Sequence, residues 1–134
     1  MFNKNLSGFS LLEVLTVIVI VGILVALGLP LYMNYIRQAD VSEVKNYIAQ
    51  MRLAEKKYYQ IHNSYFASSD IDEIKQNLDV SIDKKIRNLW DFSITKNTNS
   101  EEYIIILASG KSGTKMSNIK IEYSSDTGEF SIID

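Results

Sequence analysis

The sequence predicts an α+β chain: a long N-terminal α-helical spine, membrane-spanning in its first half, with an antiparallel four-stranded β-meander packed on its C-terminal half. Three observations predict it. Phe9 to Leu29 is a nearly unbroken apolar run whose only strongly polar members are Ser10, Glu13 and Thr16. From Ile36 to Tyr58 apolar residues recur mostly at three- and four-residue steps, the period of one helix face. After Trp90 the pattern changes to alternation, with a turn signal at Asp126-Thr127-Gly128.

The chain of 134 residues has the length of about one domain. Its apolar residues crowd the front and its charges are spread through the remainder. A formal net charge of -2 does not suggest a general nucleic-acid binder. With no cysteine, disulfide stapling, thiol catalysis and thiolate metal sites are all excluded.

At about 1.5 Å rise per residue the first apolar run makes roughly 30 Å of helix, the thickness of a bilayer's hydrocarbon core. Three readings compete. A secretory signal peptide needs a shorter apolar region and a small-x-small cleavage site after it, and Leu27-Gly28-Leu29-Pro30-Leu31 is a poor one. A plain signal anchor leaves Glu13 as an unexplained insertion cost of roughly 2–3 kcal/mol. The third reading places processing before the run, between Gly8 and Phe9, so that the apolar segment stays in the mature chain. Glu13 then gains a partner in the new Phe9 amine, four residues away and about 6 Å along a helix axis. The pair forms within one subunit or, better, between neighbours packed with an axial offset, and each charge offsets the other's desolvation.

Gly8-Phe9-Ser10-Leu11-Leu12-Glu13 resembles the prepilin cleavage motif of type IV pilins and type II secretion pseudopilins. The resemblance implies that a membrane prepilin peptidase cuts after Gly8 and N-methylates Phe9, and that Glu13 is the family's glutamate five residues into the mature chain. It also implies that the segment between Gly22 and Pro30 unwinds on assembly. Pro30 removes a helix hydrogen bond, and Gly22 and Gly28 each weaken the helix by roughly 1 kcal/mol relative to alanine. A membrane helix that tolerates its breakers is the plainer alternative.

Beyond Pro30, Ile36, Val41, Val44, Ile48, Met51 and Tyr58 form an apolar stripe. Arg37, Asp40, Glu43, Lys45, Gln50, Arg52, Glu55 and Lys56 are assigned to the remaining, solvated surface. The joined helix is predicted from about Phe9 to about Tyr59. Phe9, Tyr32, Tyr35, Tyr47, Tyr58, Tyr59 and Tyr65 resemble aromatic placements in pilins proposed to carry electrons, except that Asp40 stands where an aromatic is expected. Tyrosine is also simply favoured at membrane interfaces and packed helix faces, and that reading is preferred.

In the head, Asp70 followed by Glu73 reads as a capping box starting a short helix to Leu78. Asn63-Ser64-Tyr65-Phe66 is similar to the family loop after the spine but lacks its glycine and proline. Four strands follow: Trp90, Phe92 and Ile94 alternate; Tyr103 to Ala108 is continuously apolar, as in a central strand; Ile119, Ile121 and Tyr123 alternate; Phe130 and Ile132 close the chain.

Other chemistry finds little support. Ala108 to Lys115 contains a lysine after glycine, but Ile105 stands where a phosphate loop needs its first glycine, and a strand follows instead of a helix. His62, the single histidine, has no serine elbow around it, and no metal is expected. Asp70, Asp72 and Glu73 fit a helix start better than a calcium loop. Lys111, Lys115 and Lys120 fit a solvated loop better than a basic patch, so no specific nucleic acid is inferred.

The resemblance implies a structural subunit and not an enzyme, with no cofactor. Its expected layout is a leader at 1–8, a transmembrane and polymerisation helix at 9–30, an amphipathic stem at 31–60 and a globular head at 61–134. Its implied partners are copies of itself in a helical filament, the prepilin peptidase/methyltransferase, an inner-membrane assembly platform and, before assembly, the membrane. The precursor is expected in the inner membrane and the filament outside it or in the periplasm, serving adhesion, motility or DNA uptake. A type II secretion pseudopilin shares every motif used here. From another class, a monomeric membrane-anchored ligand-binding module would keep Met1 and form no polymer.

Overall fold

The computed structural model describes residues 8–99 and 101–133, so the first seven residues of the expected leader, with Lys4, lie outside the described residues. The elements in order are α1 (Leu11–His62), α2 (Ile71–Leu78), α3 (Lys84–Leu89), β1 (Trp90–Asn97), β2 (Tyr103–Gly110), β3 (Lys120–Ser124) and β4 (Phe130–Ile133). The chain divides into two compact units between Ile36 and Arg37.

The described part of the first unit is helix from Leu11 onward, with no buried residue. Every residue from 8 to 35 is exposed, and its most apolar window has a mean hydropathy of 2.9, which is long and apolar enough to cross a membrane. The helix begins two residues later than predicted. The Ser10 carbonyl accepts the N–H groups of Glu13 at 3.0 Å and Val14 at 3.2 Å, so Ser10 closes the first turn. Thr16 Oγ1 donates to the Leu12 carbonyl at 2.8 Å, which satisfies its hydroxyl inside the helix. Helix continues through Gly22, Gly28 and Pro30.

The second unit holds the core. From Arg37 onward α1 turns Asp40, Val44, Ile48, Met51 and Glu55 inward at four-, four-, three- and four-residue steps. The apolar members meet one face of the sheet: Trp90, Phe92 and Ile94 from β1, Ile104, Ile106 and Ala108 from β2, Ile121 and Tyr123 from β3, each buried. The sheet is an antiparallel meander in the order β1-β2-β3-β4. Phe92 pairs with Ala108, Ile106 with Tyr123 and Ile121 with Ile132, so the inward residues of successive strands share one face. The β3–β4 turn forms at the predicted site, with Gly128 at φ 74° and its N–H on the Ser124 carbonyl at 2.9 Å. β2 is interior, but its apolar run is only half buried on the outward face at Ile105 and Leu107.

Three local features depart from expectation. α1 continues to His62 and ends at Asn63, whose φ of 53° supplies the left-handed residue that the loop's missing glycine would otherwise provide. The predicted capping box is a relay instead. Asp70 Oδ1 accepts Asp72 N–H at 2.8 Å, but Glu73 accepts from Ser68 Oγ at 2.6 Å, and Ser68 Oγ takes the Asp70 N–H at 3.0 Å. Helix α3 was not anticipated. It is one and a half turns long, too short for a periodic signal, and it is anchored by the fully buried Ile86.

Candidate functional site

Gly8, Phe9 and Ser10 lie ahead of the first turn of α1 and are exposed, with Phe9 81% accessible. A peptide bond in such a position can enter a protease without unwinding helix. Glu13 sits in the first turn, where a carboxylate is favoured by the helix dipole. Among the described residues its carboxylate has no hydrogen-bond or ion-pair partner, and an exposed apolar helix follows it. Gly22 and Gly28 meet no atom within 4 Å at their missing Cβ positions, so both glycines leave open space beside the helix. Pro30 has no N–H, and the carbonyl one turn earlier, at Ala26, therefore lacks its helical donor.

Two residues assigned to the solvated surface of the stem are corrected by the structure. Asp40 is 4% exposed and Glu55 is fully buried. Both occupy the same face as Val44, Ile48 and Met51, and Asp40 is paired from far along the chain. Asp40 Oδ2 accepts from Lys115 Nζ, while Oδ1 lies 3.5 Å from Lys85 Nζ. Lys85 also bridges to Glu43 at 2.8 Å, and that hydrogen bond, with the nearby Asp40 charge, raises its ammonium pKa. Tyr47 extends the cluster by donating to Asp83 at 2.9 Å; burial first, then this bond, raises its phenol. The signal for these two acids was present in the stripe's own register, since positions 40, 44, 48, 51 and 55 are evenly phased. Residue chemistry alone pointed outward.

Glu55 lies at the other end of the stripe. Its Oε2 accepts Phe66 N–H at 3.0 Å, and its Oε1 is buried without a partner. Burial pushes its pKa up from 4.5 to about 7; the Phe66 N–H opposes this, the Glu102 charge adds to it and the Lys96 charge opposes it.

The remaining candidates resolve as structure. Lys111 pairs with Asp91 at 3.3 Å and Lys115 with Asp40, so two of these three lysines are paired within the chain. Gly110 ends β2, and the following loop enters β3, not a helix. His62 donates through Nδ1 to the Tyr58 carbonyl at 3.1 Å and stacks on the Tyr58 ring at 4.0 Å. Among the described residues, no three His, Cys, Asp or Glu side chains converge as a metal site.

The fold is thus an apolar N-terminal helix joined to a stem-docked antiparallel sheet, the architecture of a pilin-like subunit. Residues 3–29 match the prokaryotic N-terminal methylation motif. The chain is 47% identical over 48 residues to the type IV major fimbrial protein FimA of Dichelobacter nodosus, covering 36% of this chain and 31% of that protein. It is 41% identical over 63 residues to the type IV major pilin protein PilE1 of Neisseria gonorrhoeae, covering 47% and 38%. It is 37% identical over 59 residues to the fimbrial protein EcpC of Eikenella corrodens, covering 44% and 39%. These likenesses to type IV pilins rest on the N-terminal segment of the chain. The matches span about a third of the length of these relatives, and no solved structure matches.

Proposed function

We propose that the chain is a structural subunit of a type IV pilus-like filament, cut after Gly8, N-methylated at Phe9 and polymerised through its apolar helix. The observation that carries this reading is that every residue from 8 to 35 is exposed although the helix they form is apolar. A surface of that kind needs lipid or neighbouring helices to cover it. A filament supplies both in turn: bilayer before assembly, copies of the same helix after it. The layout follows, with leader 1–8, polymerisation helix 9–30, stem 31–60 and head 61–134. The partners are the prepilin peptidase, an inner-membrane platform and further subunits. The names of the relatives are fimbrial or pilin names, which favours a pilus over a secretion pseudopilus.

Glu13 sets the axial register in this reading. Its carboxylate has no partner within the described residues, and a neighbour's new Phe9 ammonium, entering the same low-dielectric core, offsets both charges. The stretch from Gly22 to Pro30 is helical in the single subunit and extends in the polymer, where the unbonded Ala26 carbonyl offers the starting point.

Intact-mass measurement of the native protein tests the processing step. The expected mass lacks the first eight residues and carries one added methyl group; a chain still beginning at Met1 would instead support a monomeric anchored module. Glu13→Ala should insert normally and fail to build ordered filaments, and normal filaments from that variant would remove the register role. A filament reconstruction with unbroken helix through Gly22 to Pro30 would remove the unwinding.

A further inference from the structure

Glu55 has no accessible surface, and among the described residues one donor reaches it, the Phe66 N–H. The adjacent amide goes elsewhere. Tyr65 N–H donates to Glu102 Oε1 at 3.3 Å, which also accepts from Ser64 Oγ at 3.2 Å. Lys96 Nζ, from β1, donates to the same Ser64 hydroxyl at 3.3 Å. Two carboxyl groups, one on α1 and one just before β2, therefore hold consecutive amides of the segment that leaves the spine helix.

The charged and titratable groups facing Glu55 are few. Glu102 lies ahead of β2, Lys96 on β1 and Tyr65 on the segment itself. On its own helix Arg52 is one turn earlier, but its guanidinium lies over the Tyr123 ring at 5.4 Å and its buried Nε has no partner. No cation reaches Glu55 within hydrogen-bond distance among the described residues. With both acids ionised, two negative charges would sit on neighbouring peptide groups, one of them in a dry site with a single donor. With Glu55 neutral, the repulsion and the buried charge are both absent.

We propose that Glu55 is a protonation-controlled latch on the segment Asn63–Phe66, closed against the helix when the acid is neutral and released when it ionises. Release separates the Tyr59–Tyr65 and Tyr58–Phe66 ring contacts, at 4.6 and 5.7 Å, and exposes that side of the head. The head surface beside the end of the spine thereby changes as the surroundings pass through neutrality. The pKa of about 7 that burial imposes on Glu55 places the change there, against 4.5 for an unperturbed group.

The test uses the full chain in detergent micelles. Carbon-13 NMR follows the Glu55 carboxyl directly, and amide hydrogen exchange, corrected for the intrinsic pH effect, follows Tyr65 and Phe66. The carboxyl should titrate near 7, not near 4.5. By linkage, Phe66 protection should fall about tenfold between about pH 6 and about pH 8. Glu55→Gln, a permanently neutral acceptor, should keep its protection constant over that range. A wild-type midpoint near 4.5, or Phe66 protection that does not change with pH, overturns the latch. Both readouts come from the wild-type chain, so they decide the matter even if the glutamine variant fails to fold.

Discussion

Lys115, in the loop between β2 and β3, places its ammonium on the buried carboxylate of Asp40, 75 positions earlier on the stem helix. The contact ties the far end of the sheet to the near end of the core stripe. Removing Asp40's charge while keeping its shape leaves Lys115 and Lys85 free to find water, because their side chains are 49% and 58% exposed. Asp40→Asn is therefore expected to destabilise the head by about 1–3 kcal/mol, less than breaking a fully buried pair. Lys115→Met should cost less, since Lys85 remains 3.5 Å from Asp40. Thermal melts of the full chain in detergent check the order; equal effects would mean that Lys85 gives Asp40 no support once Lys115 is gone.

Stability should also depend on pH through Glu55. Its folded pKa is raised from 4.5 to about 7, so the folded state binds more protons than the unfolded state across that window. Its contribution is fully present below 4.5 and is lost as pH rises through about 7. The wild-type chain should melt lower at about pH 8 than at about pH 5.5, by on the order of 2 kcal/mol, and Glu55→Gln should remove most of that difference. An unchanged slope in the variant would assign the dependence to other groups.

Gly110 is a packing requirement. A Cβ there would stand 1.7 Å from the Met116 carbonyl oxygen, and the obstructing atom is backbone. Gly110→Ala should destabilise the head by about 3 kcal/mol, at the upper end for overpacked sites, because neither the loop nor β2 can yield. Gly22→Ala meets nothing within 4 Å and should raise monomer helix stability by roughly 1 kcal/mol. Urea melts read the first effect and helical circular dichroism of the full chain the second.

Asn63 ends α1 in the left-handed region at φ 53°. Asn63→Ala should cost about 1 kcal/mol, from the strain of a Cβ in that conformation, whereas Asn63→Gly should stay within about 0.5 kcal/mol of wild type. Equal losses in the two variants would show that the Asn63 side chain, not its backbone, supports the turn.

Much of this molecule was legible before any coordinates. The apolar run from Phe9 to Leu29, the alternation in β1, the unbroken apolar stretch of β2 and the turn at Asp126-Thr127-Gly128 all carry strong local periodicity or turn chemistry. The resemblance to a prepilin motif at Gly8, Phe9 and Glu13 is local as well, a pattern in six consecutive residues within the matched methylation motif. Helix α3 escaped because six residues cannot display a helical period. The Asp70 cap was found, but its relay through Ser68 was not, because Ser68 reached it from outside the four-residue motif.

By itself the sequence determined the helix and strand periods, the match to the N-terminal methylation motif and the presence of an apolar surface that needs covering. These depend on the spacing of side chains along a backbone of known pitch. Only the tertiary structure decided that Asp40 and Glu55 face the core. Burial of an acid depends on whether a donor reaches it: Lys115 comes to Asp40 from the loop between β2 and β3, and the Phe66 N–H comes to Glu55 from the segment that follows the stem helix.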